Sequence, residues 1–147
     1  MINVGTYTTA LYNKLVAAGL TATIERGERI NFDPGRCPWM GVYPGSVSSA
    51  PRTLGGGSSR WSSSMELQVV VQTCSFDNDG RSASDALETL IESMLQAIDN
   101  DLTLGVVGCR ILSNSREYRY VMFDDDGQGT IFMPQAVVKL NIDARST

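Results

Sequence analysis

The spacing of apolar and polar positions switches between two periods along the chain. From Met65 to Phe76, the apolar Met65, Leu67, Val69 and Val71 alternate with Glu66, Gln68 and Gln72, which is the pattern of a strand with one face on a core. Asp77-Asn78-Asp79-Gly80 breaks that alternation. Ala83, Ala86, Leu87, Leu90, Ile91, Met94, Leu95 and Ile98 then recur at helical spacing, with Ser82 and Asp85 as an imperfect capping box. A long strand thus feeds an amphipathic helix that can lie back on it, and the remaining segments are read around this pair.

Toward the N-terminus, Asn3 can cap a helix over about residues 4–18, with Val4, Tyr7, Leu11, Leu15 and Ala18 in one stripe and Gly19 at the C′ position. Thr21–Glu25 and Glu28–Phe32 are β-prone pieces around Arg26-Gly27, predicting a small hairpin closed by Asp33-Pro34-Gly35. Cys37 to Tyr43 predicts a short apolar strand, with Pro38 at its start and Trp39 as a core or interface anchor. Between Pro44 and Ser64, Gly and Ser dominate without a period, predicting a long mobile hairpin loop that becomes ordered against a partner. Beyond the central helix, Gly105–Leu112 predicts a strand with Val107, Cys109 and Ile111 on one face, and Ser113-Asn114-Ser115 a kink or bulge. Glu117–Phe123 resumes as strand. An acidic turn, Asp124-Asp125-Asp126-Gly127-Gln128-Gly129, leads into a closing strand over Thr130–Asp143, in which Pro134 marks an edge or bulge.

Length suits a single domain spanning 1–147, because a chain of this size buries roughly 70% of its unfolded surface without staples. The formal charge of −4 disfavours duplex DNA as a direct ligand, which a basic surface would be needed to hold. No apolar run suits a membrane span, and the N-terminus lacks the pattern of an export signal, so the chain reads as soluble. Cys37, Cys74 and Cys109 are widely spaced and odd in number, which predicts reduced, buried thiols rather than a disulfide framework or a zinc site.

Histidine is absent, which removes Ser-His-Asp and Cys-His catalysis and imidazole metal sites. Asp124, Asp126 and Gln128 fall at positions 1, 3 and 5 of a calcium-type loop with Gly129 at position 6, yet position 12 is Gln135 and not the bidentate Glu. A solvated hairpin turn is the better reading. Gly55-Gly56-Gly57 lacks the Lys-Ser/Thr of a phosphate cradle. The residues therefore predict no catalytic site, no metal and no cofactor. A small hydrolase using a carboxylate-bound metal is the enzymatic alternative.

The order helix, small hairpin, apolar strand, long loop, long strand, helix and two closing strands resembles the tail-terminator (tail-completion) proteins of long-tailed, lambda-type bacteriophages. The likeness is carried by Cys37-Pro38-Trp39-Met40-Gly41-Val42-Tyr43, by Trp61 leading into Met65–Val71, by the helix Asp85–Ile98, and by Phe123–Gly127 before Ala136–Ile142. It covers nearly the whole chain, and the loop 44–64 departs most. The resemblance implies an α/β (α+β) subunit, with a mixed, largely antiparallel sheet and two main helices on one face. It implies a hexameric ring that caps the tail tube, ends its polymerisation and offers a surface for head-tail joining. The implied partners are further copies of the chain, the tail tube protein and a connector or stopper protein, with DNA only passing through the channel and no membrane. The implied place is the tail-neck region of a virion assembled in the bacterial cytoplasm. Another neck ring, a head-tail stopper or connector, is the nearest alternative. Arg52, Leu54, Arg60, Trp61, Asp124, Asp125 and Asp126 are the expected interface residues, chosen for charge and apolar contact in the long loop and the acidic turn.

Overall fold

Asn3 opens the first helix as its sequence position predicts, its Oδ1 accepting a hydrogen bond from the Gly5 N–H at 2.9 Å. The computed structural model describes residues 3–27, 38–51, 61–74, 80–106, 109–125 and 129–145. Helix α1 spans Val4–Ala17 and gives way to Gly19 at φ +69°, the left-handed conformation that ends helices at little cost for glycine. Its Tyr7, Leu11 and Leu15 are buried.

Among the described residues, five strands form one sheet in the order β1-β2-β3-β5-β4, where β1 is Thr23–Glu25, β2 Trp39–Pro51, β3 Trp61–Gln72, β4 Cys109–Asp125 and β5 Gly129–Arg145. Only β1 runs parallel to its neighbour; the other pairs are antiparallel. Thr23–Glu25 pairs with Trp39–Gly41, and the expected second hairpin arm, 28–32, lies outside the described residues. Helix α2, Gly80–Asp99, connects β3 to β4, and Ser82 sits inside it and not at its cap. Both helices pack on one face of the sheet. There Leu11, Leu15, Val42, Leu67, Val69, Ile91, Met94, Val138, Leu140 and Ile142 join one core. The fold is α+β, with the mixed, largely antiparallel sheet and single helical layer that the resemblance implies.

The expected loop over Pro44–Ser64 is corrected. Pro44–Pro51 belongs to β2 and Trp61–Ser64 to β3, paired from Val47↔Met65 to Pro51↔Trp61 with one register shift between Pro44 and Val47. The Ser-rich segment lacks apolar alternation of its own, but the neighbouring ladder of β5 on β3, Ser62↔Arg145 to Met65↔Ile142, holds it extended. Residues 52–60 lie outside the described residues.

A second register shift lies between Ile111 and Ser113, at Leu112, just before the Ser113-Asn114-Ser115 segment expected to kink or bulge, which itself pairs in regular register. Its effect on side-chain direction is large. Cys109 and Ile111 point into the core, whereas beyond the shift Asn114, Arg116 and Tyr118 take the core-side positions opposite Leu140, Val138 and Ala136. Pro134 lies one residue past the last β3–β5 pair, Gln72↔Gln135, where its missing N–H interrupts no β3 ladder bond, and its carbonyl accepts from Thr73 N–H at 3.3 Å. Cys74 is disulfide-bonded, which corrects the expectation of three reduced thiols; Cys109 is a buried free thiol.

Candidate functional site

The ladder of β3 on β5 fixes where the expected interface residues fall. Trp61 starts β3 opposite Pro51, at the end of the sheet where β5 finishes at Arg145. Asp124 and Asp125 finish β4 opposite Thr130 and Gly129, at the end where β5 begins. At roughly 3.3 Å per residue, the 17 residues of β5 hold these two ends about 50 Å apart. The structure thus separates the expected interface into two poles and does not bring it together. Arg52, Leu54, Arg60 and Asp126 lie outside the described residues.

The two poles are built differently: the acidic one is a two-stranded arm, whereas at the Trp61 end β3 lies between β2 and β5, with Ser62↔Arg145 on one side and Ser62↔Ala50 on the other. At the Trp61 end, β1 stops at the Glu25↔Gly41 pair, so β2 beyond Pro44 has β3 on one side only among the described residues, and Ser46–Ala50 are exposed. At the acidic end, β4 and β5 continue past the end of β3 as a hairpin from Tyr120↔Pro134 to Asp125↔Gly129. The calcium-type reading of this turn finds its twelfth position in the sheet: Gln135 accepts a hydrogen bond through Oε1 from Gln72 Nε2 at 3.0 Å. Among the described residues, no three His, Cys, Asp or Glu side chains converge as a metal site.

The sheet face away from the helices combines buried apolar residues, Trp39 and Val137, with a charged group. Lys139 lies 4.0 Å from Glu66 and 3.9 Å from Glu117, and Arg119 lies 3.4 Å from Glu117. These are partly exposed pairs, worth little to stability each, and they give the face a fixed pattern of charge more than a hold on the fold. Trp39 also lies on this face, across from Gln72, and is 2% exposed. Its ring and that of Tyr43 close over Gly41, where a Cβ would meet both.

Sequence reasoning passed over the outer strand β4, whose Leu112–Tyr120 are exposed without interruption. Tyr120 is 72% exposed, and Tyr118 is 39% exposed. On the helical side of this strand, Arg116 pairs with Glu88 of α2 at 3.6 Å, and the hydrogen bond to Glu88 raises the Tyr118 phenol above its ordinary value. The signal was the run Arg116-Glu117-Tyr118-Arg119-Tyr120, charged and aromatic with no apolar alternate positions, which a half-buried strand would carry.

A cavity of about 690 Å³ runs between the end of α1 and one side of α2, lined by Gly19, Leu20, Thr89, Leu90, Ser93 and Ala97 among others. Among the described residues no titratable side chain lines it, so they give it shape without an acid or a base. Among the described residues, no helix is long and apolar enough to cross a membrane.

No family model matches the chain, and no curated protein matches it. Among solved structures, it is similar to a chain of the "Virion of native gene transfer agent (GTA) particle", at 13% identity and a TM-score of 0.44, over 98% of this chain and 100% of that one.

Proposed function

We propose that this chain is a virion structural protein of the tail-terminator type, a ring subunit that caps a tail tube, ends its polymerisation and presents a second surface for head-tail joining. The observation that carries the reading is the bipolar sheet. A terminator needs two unlike surfaces facing opposite ways, and one continuous strand, β5, here ties the sheet end at Trp61 and Pro51 to the two-stranded arm ending at Asp124 and Asp125. A rigid β ladder between them sets their separation, which suits a part whose work is binding and symmetry and not catalysis. The net charge of −4 suits a channel through which DNA passes without sticking.

The proposed partners are further copies of the chain in a hexameric ring, the tail tube protein at one pole and a connector or stopper protein at the other. The experiment is electron microscopy of particles assembled without this chain. Overlong tails are the expected result. Tails of normal length beside unjoined heads would replace the terminator reading with that of another neck ring, and normal joined particles would overturn both.

A further inference from the structure

We propose that, before assembly, the outer edge of β4 pairs antiparallel with the same edge of a second copy, about a two-fold axis through Tyr118, and that this proposal goes beyond the ring. Among the described residues the edge is open: β4 is the terminal strand of the sheet, its ladder is with β5 alone, and its side chains from Leu112 to Tyr120 are exposed. Such an edge offers a row of unpaired N–H and C=O groups to another strand. The other unshielded edge, β2 beyond Gly41, is bracketed by Pro44 and Pro51, which cannot donate to a ladder, whereas β4 contains no proline.

The side chains select the occupant and the register. A two-fold axis normal to the sheet keeps each face continuous, so even-numbered residues of β4 meet even-numbered residues of the second copy, and odd meet odd. With Tyr118 on the axis, Glu117 of each copy faces Arg119 of the other, and Arg116 of each faces Tyr120 of the other. Opposite charges and a guanidinium beside an aromatic ring are favourable cross-strand neighbours. Moving the axis by one residue either way sets Glu117 against Glu117 or Arg119 against Arg119. Placing it at Arg116 sets two arginines together. Like charges directly opposite are destabilising, so the edge favours the register centred on Tyr118 over those centred on Arg116, Glu117 and Arg119. The inward position of Arg116, held by Glu88, and the shift between Ile111 and Ser113 discourage indiscriminate pairing and leave this register unobstructed.

Two copies joined in this way lie with their poles reversed. A ring whose members share one polarity cannot contain that contact, so the pair acts as a reservoir that shields the edge until assembly opens it.

The test is sedimentation equilibrium of the purified full chain, with circular dichroism to confirm folding. The expected wild-type species is a dimer. Glu117→Arg and Arg119→Glu, each of which places like charges opposite one another, should weaken it at least tenfold, and the double variant should recover it to within a few-fold. A wild-type monomer, a hexamer indifferent to these substitutions, or a double variant as weak as either single one would overturn the proposal. Tail length in particles lacking the chain tests the terminator reading separately, so failure of one leaves the other standing.

Discussion

Two residues show how much local chemistry the sequence exposes and how much depends on register. Asn3 and Gly19 bound α1 in the roles their types suggest, because a capping amide and a left-handed glycine act within one turn of chain. Cys74 was illegible, since its distance along the chain from other cysteines says nothing of the β2–β3 register that carries it to the end where β2 begins. Cys109 is 4% exposed, and burial, followed by nearby Asp101 and Asp143, pushes its thiol up to about 11. The unfolded thiol ionises first, from near its ordinary value of 9.0, so the folded state is fully favoured below pH 9 and loses stability as pH rises through 11. The loss is about 2 to 3 kcal/mol. Chemical denaturation at pH 8 and pH 11 should show a smaller drop for Cys109→Ala than for wild type; equal drops would contradict the assignment. At Gly41, a Cβ would collide with the Trp39 and Tyr43 rings, so Gly41→Ala should cost about 1 to 3 kcal/mol by overpacking, read as a lower denaturation midpoint.

Elements with their own periodicity were legible, and elements held by neighbours were not. The alternation of Met65–Val71 and the helical stripe Leu87–Ile98 appear as β3 and α2, since each carries enough apolar residues to fix a buried face. The serines of Ser46–Ala50 and Ser62–Ser64 carry no such face, yet they are strand. Ser49 and Ser63 hydroxyls even meet across the ladder at 2.6 Å. What reads as a loop of 44–64 is therefore paired strand over Val47–Pro51 and Trp61–Ser64, which leaves 52–60 as the stretch to shorten. Replacing 53–59 with a two-residue turn should change stability by less than about 1 kcal/mol, because closure entropy varies slowly with loop length. A loss of several kcal/mol in urea unfolding would mean that the segment packs on the body.

At the scale of the whole molecule, the sheet's length is the property that no single segment revealed. In the sequence, Trp61 and the acidic turn read alike as interface residues because each offers contact chemistry. Their placement at opposite ends follows only from the antiparallel β3–β5 ladder, Ser62↔Arg145 to Gln72↔Gln135, and from the continuation of β4 and β5 beyond it. If the two poles serve two partners, their defects must differ. Asp124, Asp125 and Asp126 replaced together by Asn should leave folding nearly intact, since exchanges at a turn seldom cost more than about 0.5 kcal/mol each. Trp61→Ala removes the aromatic side chain proposed to bind at the other pole, and interface aromatics carry a large share of binding energy. Electron microscopy of particles assembled with each variant should then give two phenotypes: overlong tails from damage to the pole that meets the tube, and tails of normal length lacking heads from damage to the pole that meets the neck. The same defect from both variants, with both proteins folded, would mean that the two ends of β5 do not face different partners, and the bipolar reading would fall.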